Sequence, residues 1–120
     1  MQYMLLIYGE EAAWEARSKA DESSLGEEYG KLGRDLRAQD KLIRGEELQP
    51  VATATSVQVR SGDAIVSDGP FAATKEVLGG FFLIEADSLD EAIEWAGRIP
   101  DARHGTIEVR PVVDHSGNGA

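Results

Sequence analysis

The sequence contains no cysteine, which excludes disulfides, thiolate catalysis and cysteine-ligated zinc or iron–sulfur centres. Histidine occurs only at His104 and His115, late in the chain and outside the motifs described below. With neither residue clustered, any metal would have to be bound by oxygen, and no metal and no cofactor is expected. Basic residues are also few. Twelve Lys and Arg stand against 22 Asp and Glu, a net charge of −10. Such a charge repels phosphate backbones and anionic bilayers at long range, so neither nucleic acid nor a membrane is an expected partner. Long apolar runs are missing too. The first, Tyr3 to Tyr8, is too short to span a bilayer, and no basic residue precedes Arg17, so it does not read as a secretory signal. The cytoplasm is the expected compartment. No Gly-Lys-Ser/Thr phosphate loop, Gly-x-Ser-x-Gly elbow or dinucleotide fingerprint is present.

A chain of 120 residues is one domain by size. The domain is expected over 1–113, with a mobile polar tail over 114–120. Met1 to Tyr8 reads as a central strand buried on both faces, ending at Gly9. Glu10 to Ser23 is polar and reads as a short helical turn or a lid. Its Trp14 either covers the open end of the core or lines a ligand cleft. Ser24-Leu25-Gly26-Glu27 has capping-box spacing, and Leu25, Tyr29, Leu32 and Leu36 form one stripe of a helix running to about Gln39. Strands are expected over 41–48 and 53–60. Ser61-Gly62-Asp63 signals a tight turn, and Ala64 to Ser67 returns as the partner strand. Gly79 to Ala86 is the next strand. Ser88 caps a second helix whose core face is Leu89, Ala92, Ile93 and Ala96. In the last strand, Ile107 and Val109 point inward and Glu108 and Arg110 outward, with Pro111 marking an edge or the strand's end.

With the inserted hairpin strand removed, the order is βαββαβ, the ferredoxin-like plan of an α+β fold. Two helices cover one face of the sheet. The two-sided apolar strands leave the other face in need of a partner, and a second copy of the chain is the simplest one.

The stretch from Ser67 to Gly80 organises the chain. Asp68-Gly69-Pro70-Phe71, with Thr74-Lys75-Glu76 and Gly79-Gly80-Phe81, resembles the signature of the DGPF family within the YCII-related group of small bacterial proteins. Tyr3 to Ile7, Gly45-Glu46, Leu48-Gln49-Pro50, Asp90-Glu91-Ala92 and Glu108 to Pro111 extend the likeness almost end to end. The resemblance implies a dimeric α+β barrel in which two ferredoxin-like sheets meet face to face. It also implies an association with extracytoplasmic-function sigma factors. More distant YCII-like proteins carry a His-Asp pair proposed for acid–base chemistry. Neither histidine of this chain falls in a matching motif, so that activity is not carried over.

Asp68, at a strand tip before Gly-Pro, is the candidate catalytic acid or base. The competing reading is an Asx-turn, for which Pro70 offers no N–H and Phe71 does. Lys75 and Glu76 are candidate ligand-binding residues or solvated loop charges. Arg110 and Arg44 are candidates to present a planar fork to an anion, against cross-strand ion pairing. Lys75 is expected to reach back towards Asp68, with Arg110 or Arg44 completing one cleft. Two functions follow: a small-molecule-binding protein or acid–base enzyme with its cleft at this motif, or a non-catalytic regulatory module of a sigma factor.

Overall fold

A computed structural model describes residues 1–116, so most of the tail expected over 114–120 lies outside the described residues. The first apolar run forms β1 (Gln2–Gly9), followed by α1 (Glu11–Glu15), α2 (Lys19–Ala38) and β2 (Leu42–Glu47). A 3-10 turn over Val51–Thr53 leads into β3 (Thr55–Arg60) and β4 (Asp63–Asp68). Then come β5 (Val77–Glu85), α3 (Leu89–Gly97), a second 3-10 turn (Pro100–Arg103) and β6 (Thr106–Pro111). Strands β2, β5, β1 and β6 lie side by side in that order, every neighbouring pair antiparallel. The architecture is α+β and compatible with the ferredoxin-like plan.

Alternation along β1 explains the layering. Tyr3, Leu5 and Ile7 point to the helices and are buried; Met4, Leu6 and Tyr8 point the other way and are half-buried. Across the pairing, Leu5 stands opposite Phe82 and Tyr3 opposite Ile84, which extends the core face onto β5. Leu32 and Leu36 of α2 close over it, with Ala92, Trp95 and Ala96 of α3 and Ile99 beyond.

Both helices depart from the sequence reading. Helix α2 begins five residues before Ser24. Its capping box is Ser18 with Asp21, in which the Ser18 hydroxyl accepts the Asp21 N–H at 3.1 Å and the Asp21 carboxylate accepts the Ser18 N–H at 3.3 Å. Aspartate replaces the usual Glu at the third position, and Ser24 lies within the helix. In α3 Ser88 is the cap, as expected, with its hydroxyl accepting the Glu91 N–H at 3.1 Å. The buried face, however, is Ala92, Trp95 and Ala96, while Leu89 and Ile93 stay about half exposed. Burying the Trp95 ring removes more apolar area than burying either aliphatic side chain, so the helix turns that ring inward.

The hairpin also differs from the expected extra strand. Strands β3 and β4 form a separate two-stranded sheet. Their turn uses Ser61 and Gly62, both at positive φ (52° and 82°), as two-residue hairpins require. Register puts Val57 opposite Val66 on one ribbon face, where both remain more than 60% exposed.

Candidate functional site

The motif residues lie on the hairpin's base and on the sheet face away from the helices. Asp68 ends β4 opposite Thr55; its exposed carboxylate has no ion pair or hydrogen-bonding partner among the described residues. Gly69 takes φ 90°, donates its N–H to the Ala54 carbonyl at 2.7 Å and accepts the Ser56 hydroxyl at 2.8 Å. Phe71 projects into solvent at 88% exposure. The Lys75 ammonium lies 3.5 Å from Glu10, and Glu76 accepts the Thr106 hydroxyl at 2.9 Å. Arg44 pairs with Glu46 at 2.6 Å, and Arg110 pairs with Glu108, each with the residue two along on its own strand. Thus each of the four candidate partners is engaged locally, and no ion pair joins Asp68 to Lys75, Arg44 or Arg110. Among the described residues no His/Asp/Glu cluster is spaced to hold a metal ion, and no helix is long and apolar enough to cross a membrane.

A wide hollow lies elsewhere, on the helix side of the sheet. It measures about 810 Å³ and opens between α1, the first half of α2 and the adjoining ends of β2 and β5. Gly45, Gly80 and Phe82 lie on its sheet side, and Trp14, Leu25 and Tyr29 come from the helices. Three glycines keep this space open. Residue 79 is the extra residue of a bulge, since Ile7 pairs with Gly80 and Tyr8 with Leu78. The Trp14 indole rests on Gly9 and Gly79, where an added Cβ would stand 2.5 and 2.6 Å from ring carbons. At Gly80 a Cβ would meet the Glu46 carbonyl oxygen at 2.7 Å, so only glycine lets β2 run this close. The Trp14 ring thus covers the strand ends at Gly9 and Gly79 and forms part of the hollow's wall.

The deep end of the cavity is polar. Asp101, on the second 3-10 turn, is only 7% exposed. One carboxylate oxygen accepts from the Arg17 guanidinium and the other from the Tyr29 hydroxyl. A buried carboxylate needs such partners, since an unpaired one would cost several kcal/mol or neutralise itself. The Tyr29 ring stacks on Phe82, with centroids 6.3 Å apart and planes 15° apart. Burial, reinforced by the hydrogen bond to Asp101, pushes the Tyr29 hydroxyl well above the ordinary phenol range. The phenol stays protonated, donates to Asp101, and keeps a lone pair for a further donor.

Arg17 and Asp101 were not among the residues the sequence singled out. They lie 84 positions apart, Arg17 in a polar linker and Asp101 just after Pro100, and neither carries a local pattern. Tyr29 was visible only as one member of a helix stripe.

A model of the YCII-related domain matches residues 1–116 of this chain. An uncharacterised protein of Rhizobium meliloti (strain 1021) is 37% identical to it over 114 residues, covering 93% of this chain and 92% of that protein.

Proposed function

The chain belongs to the YCII-related family, and from that premise we propose that it binds a small organic molecule in the cavity between Trp14, Tyr29 and the β2–β5 strand ends. The observation that carries this reading is a polar pole, Arg17–Asp101–Tyr29, built on the buried Asp101 carboxylate at the end of a hollow of about 810 Å³ with Trp14, Tyr29 and Phe82 in its walls. Such hollows, apolar with a few convergent polar groups, are the usual form of ligand sites. The raised Tyr29 phenol supports a hydrogen-bonding role rather than that of a general base, because its proton is not released near neutral pH. Acid–base chemistry at Asp68 remains a separate proposal, resting on that carboxylate's freedom from local partners. A fragment screen by amide chemical-shift mapping tests the cavity reading. Hits should move resonances around Trp14, Tyr29 and Phe82, and Trp14→Ala should abolish them. Hits mapping only to the hairpin would overturn it.

We further propose that the protein is a homodimer. Support comes from the sheet face opposite the helices, where Met4, Leu6, Phe81 and Leu83 form an apolar band. The Arg44–Glu46 and Arg110–Glu108 pairs border it. A second reading, a regulatory module that partners an extracytoplasmic-function sigma factor, draws on the exposed Val57–Val66 ribbon face and Phe71. It expects wild type, but not a Val57→Thr/Val66→Thr variant, to co-purify with a sigma factor.

A further inference from the structure

The walls of this cavity are unevenly charged. Its lining includes six carboxylates, those of Glu11, Glu15, Glu22, Glu46, Glu47 and Asp101, against one cationic side chain, Arg17. Three of the six are already committed. Arg17 is paired with Asp101, Glu46 is held by Arg44, and Glu11 accepts the Val51 N–H at 2.9 Å. Glu15, Glu22 and Glu47 have no ion pair or side-chain hydrogen bond among the described residues, and the Glu11 partner is a neutral N–H, so four negative charges of the lining have no cationic partner. The polar pole has the same bias. The Tyr29 hydroxyl spends its proton on Asp101 and is left with an acceptor lone pair. The Trp14, Tyr29 and Phe82 rings supply faces whose quadrupoles attract cations.

We propose that the ligand is a protonated organic amine with an apolar, ring-sized body. The inference rests on the cavity being a ligand site and adds the class of molecule it takes. The body would lie among Trp14, Tyr29, Phe82 and Leu25, and the ammonium would face the rim carboxylates or the Tyr29 oxygen. An anion of the same shape is disfavoured, because desolvating it beside four carboxylates that lack a cationic partner costs more than one guanidinium, already engaged, returns.

Three probes of one shape and different charge test this on the full chain: phenethylamine, phenethyl alcohol and phenylacetate, titrated by amide chemical shifts. Phenethylamine should bind about tenfold more tightly than the alcohol, with phenylacetate weakest. The amine's advantage should shrink as salt is raised. A Glu15→Gln/Glu22→Gln/Glu47→Gln variant should close the gap between amine and alcohol. If the alcohol or phenylacetate binds in the cavity as tightly as the amine, the charge preference is wrong and the cavity reading survives. If none of the three moves the resonances around Trp14, Tyr29 and Phe82, the cavity reading fails and the inference fails with it.

Discussion

The Trp14 indole lies on Gly79 so closely that a Cβ at that position would stand 2.6 Å from the ring's Cη2. The bulge at residue 79 thus does two things: it bends the end of β5 and makes a seat for the ring. Gly79→Ala should displace the indole. The expected cost is about 1–3 kcal/mol, the usual range for overpacking. In a Trp95→Phe background Trp14 is the sole tryptophan, so a change in tryptophan emission alongside the lower denaturation midpoint would report the displacement. Unchanged emission and midpoint would show that the ring does not depend on this seat.

The Tyr29 hydroxyl should resist ionisation at alkaline pH. Its folded hydroxyl is held above the ordinary value of 10.0, first by burial and then by the Asp101 hydrogen bond. The folded value exceeds the unfolded one, so this contribution to stability is complete below about pH 10 and is lost as pH rises beyond it towards the folded value. Tyrosinate absorbance during an alkaline titration should include a Tyr29 component that resists until the protein unfolds. Tyr29→Phe should remove that resistant fraction, leave Asp101 one partner short and destabilise the fold by about 1–3 kcal/mol at neutral pH.

How much of this was legible in the sequence follows from the range of each signal. Strand periodicity, the Ser61-Gly62 turn and the Ser88 cap are local, and the structure has them where the residues place them. The start of α2 was missed because Ser24 and Glu27 offered a more familiar box than Ser18 and Asp21. The face of α3 was misjudged because a spacing rule weighs Ile93 and Trp95 alike, whereas burial favours the larger ring. The cavity's pole was out of reach because it depends on three segments meeting, at residues 17, 29 and 101. Asp68 stood out by its motif, but the sequence did not reveal that the hairpin carrying it forms its own sheet.

Acid should weaken the packing of α3 through Glu91. Its carboxylate accepts the Asp87 N–H at 2.8 Å and the Trp95 indole N–H at 3.0 Å, and it pairs with Lys41 at 3.3 Å. These partners, the Asp87 N–H foremost, hold it below the ordinary value of 4.5. With a depressed folded value, the stabilisation is present above about pH 4.5 and is lost as pH falls through the folded value. Glu91→Gln should flatten the acid limb of a stability–pH curve measured by urea melts, and a wild-type limb of equal slope would count against this role.

Asp68→Asn separates the motif from the fold. The carboxylate is exposed and lacks a side-chain partner among the described residues, so stability from a thermal melt should change by less than about 0.5 kcal/mol. A large loss of stability would mean that the charge supports the hairpin. A loss of ligand binding with the fold intact would return the site to the Asp68 turn.

The sheet face away from the helices gives the last prediction. Leu6 stands opposite Phe81, and Met4 opposite Leu83, so four large side chains form one band at the centre of the sheet. Beside them Met4 also faces Arg110 and Leu6 faces Glu108 on β6, while Arg44 and Glu46 stand opposite Leu83 and Phe81 on β2. This is an apolar strip with an ionic border on each side, the pattern of an interface core with a polar rim. Full burial of a large apolar side chain is worth about 1.5–3 kcal/mol over full exposure, and these four, already half-buried, have part of that still to gain. A two-fold pairing of sheet faces would recover much of that and bring each ionic border near its symmetry mate. Static light scattering at micromolar concentration should therefore report twice the monomer mass. Leu6→Glu should halve it, because the new carboxylate would be buried next to its copy across the two-fold. The variant should remain folded as a monomer, since Leu6 lies on the face opposite Leu5, Ile7 and the helices. A wild-type monomer, or a Leu6→Glu dimer, would show that this face has some other purpose.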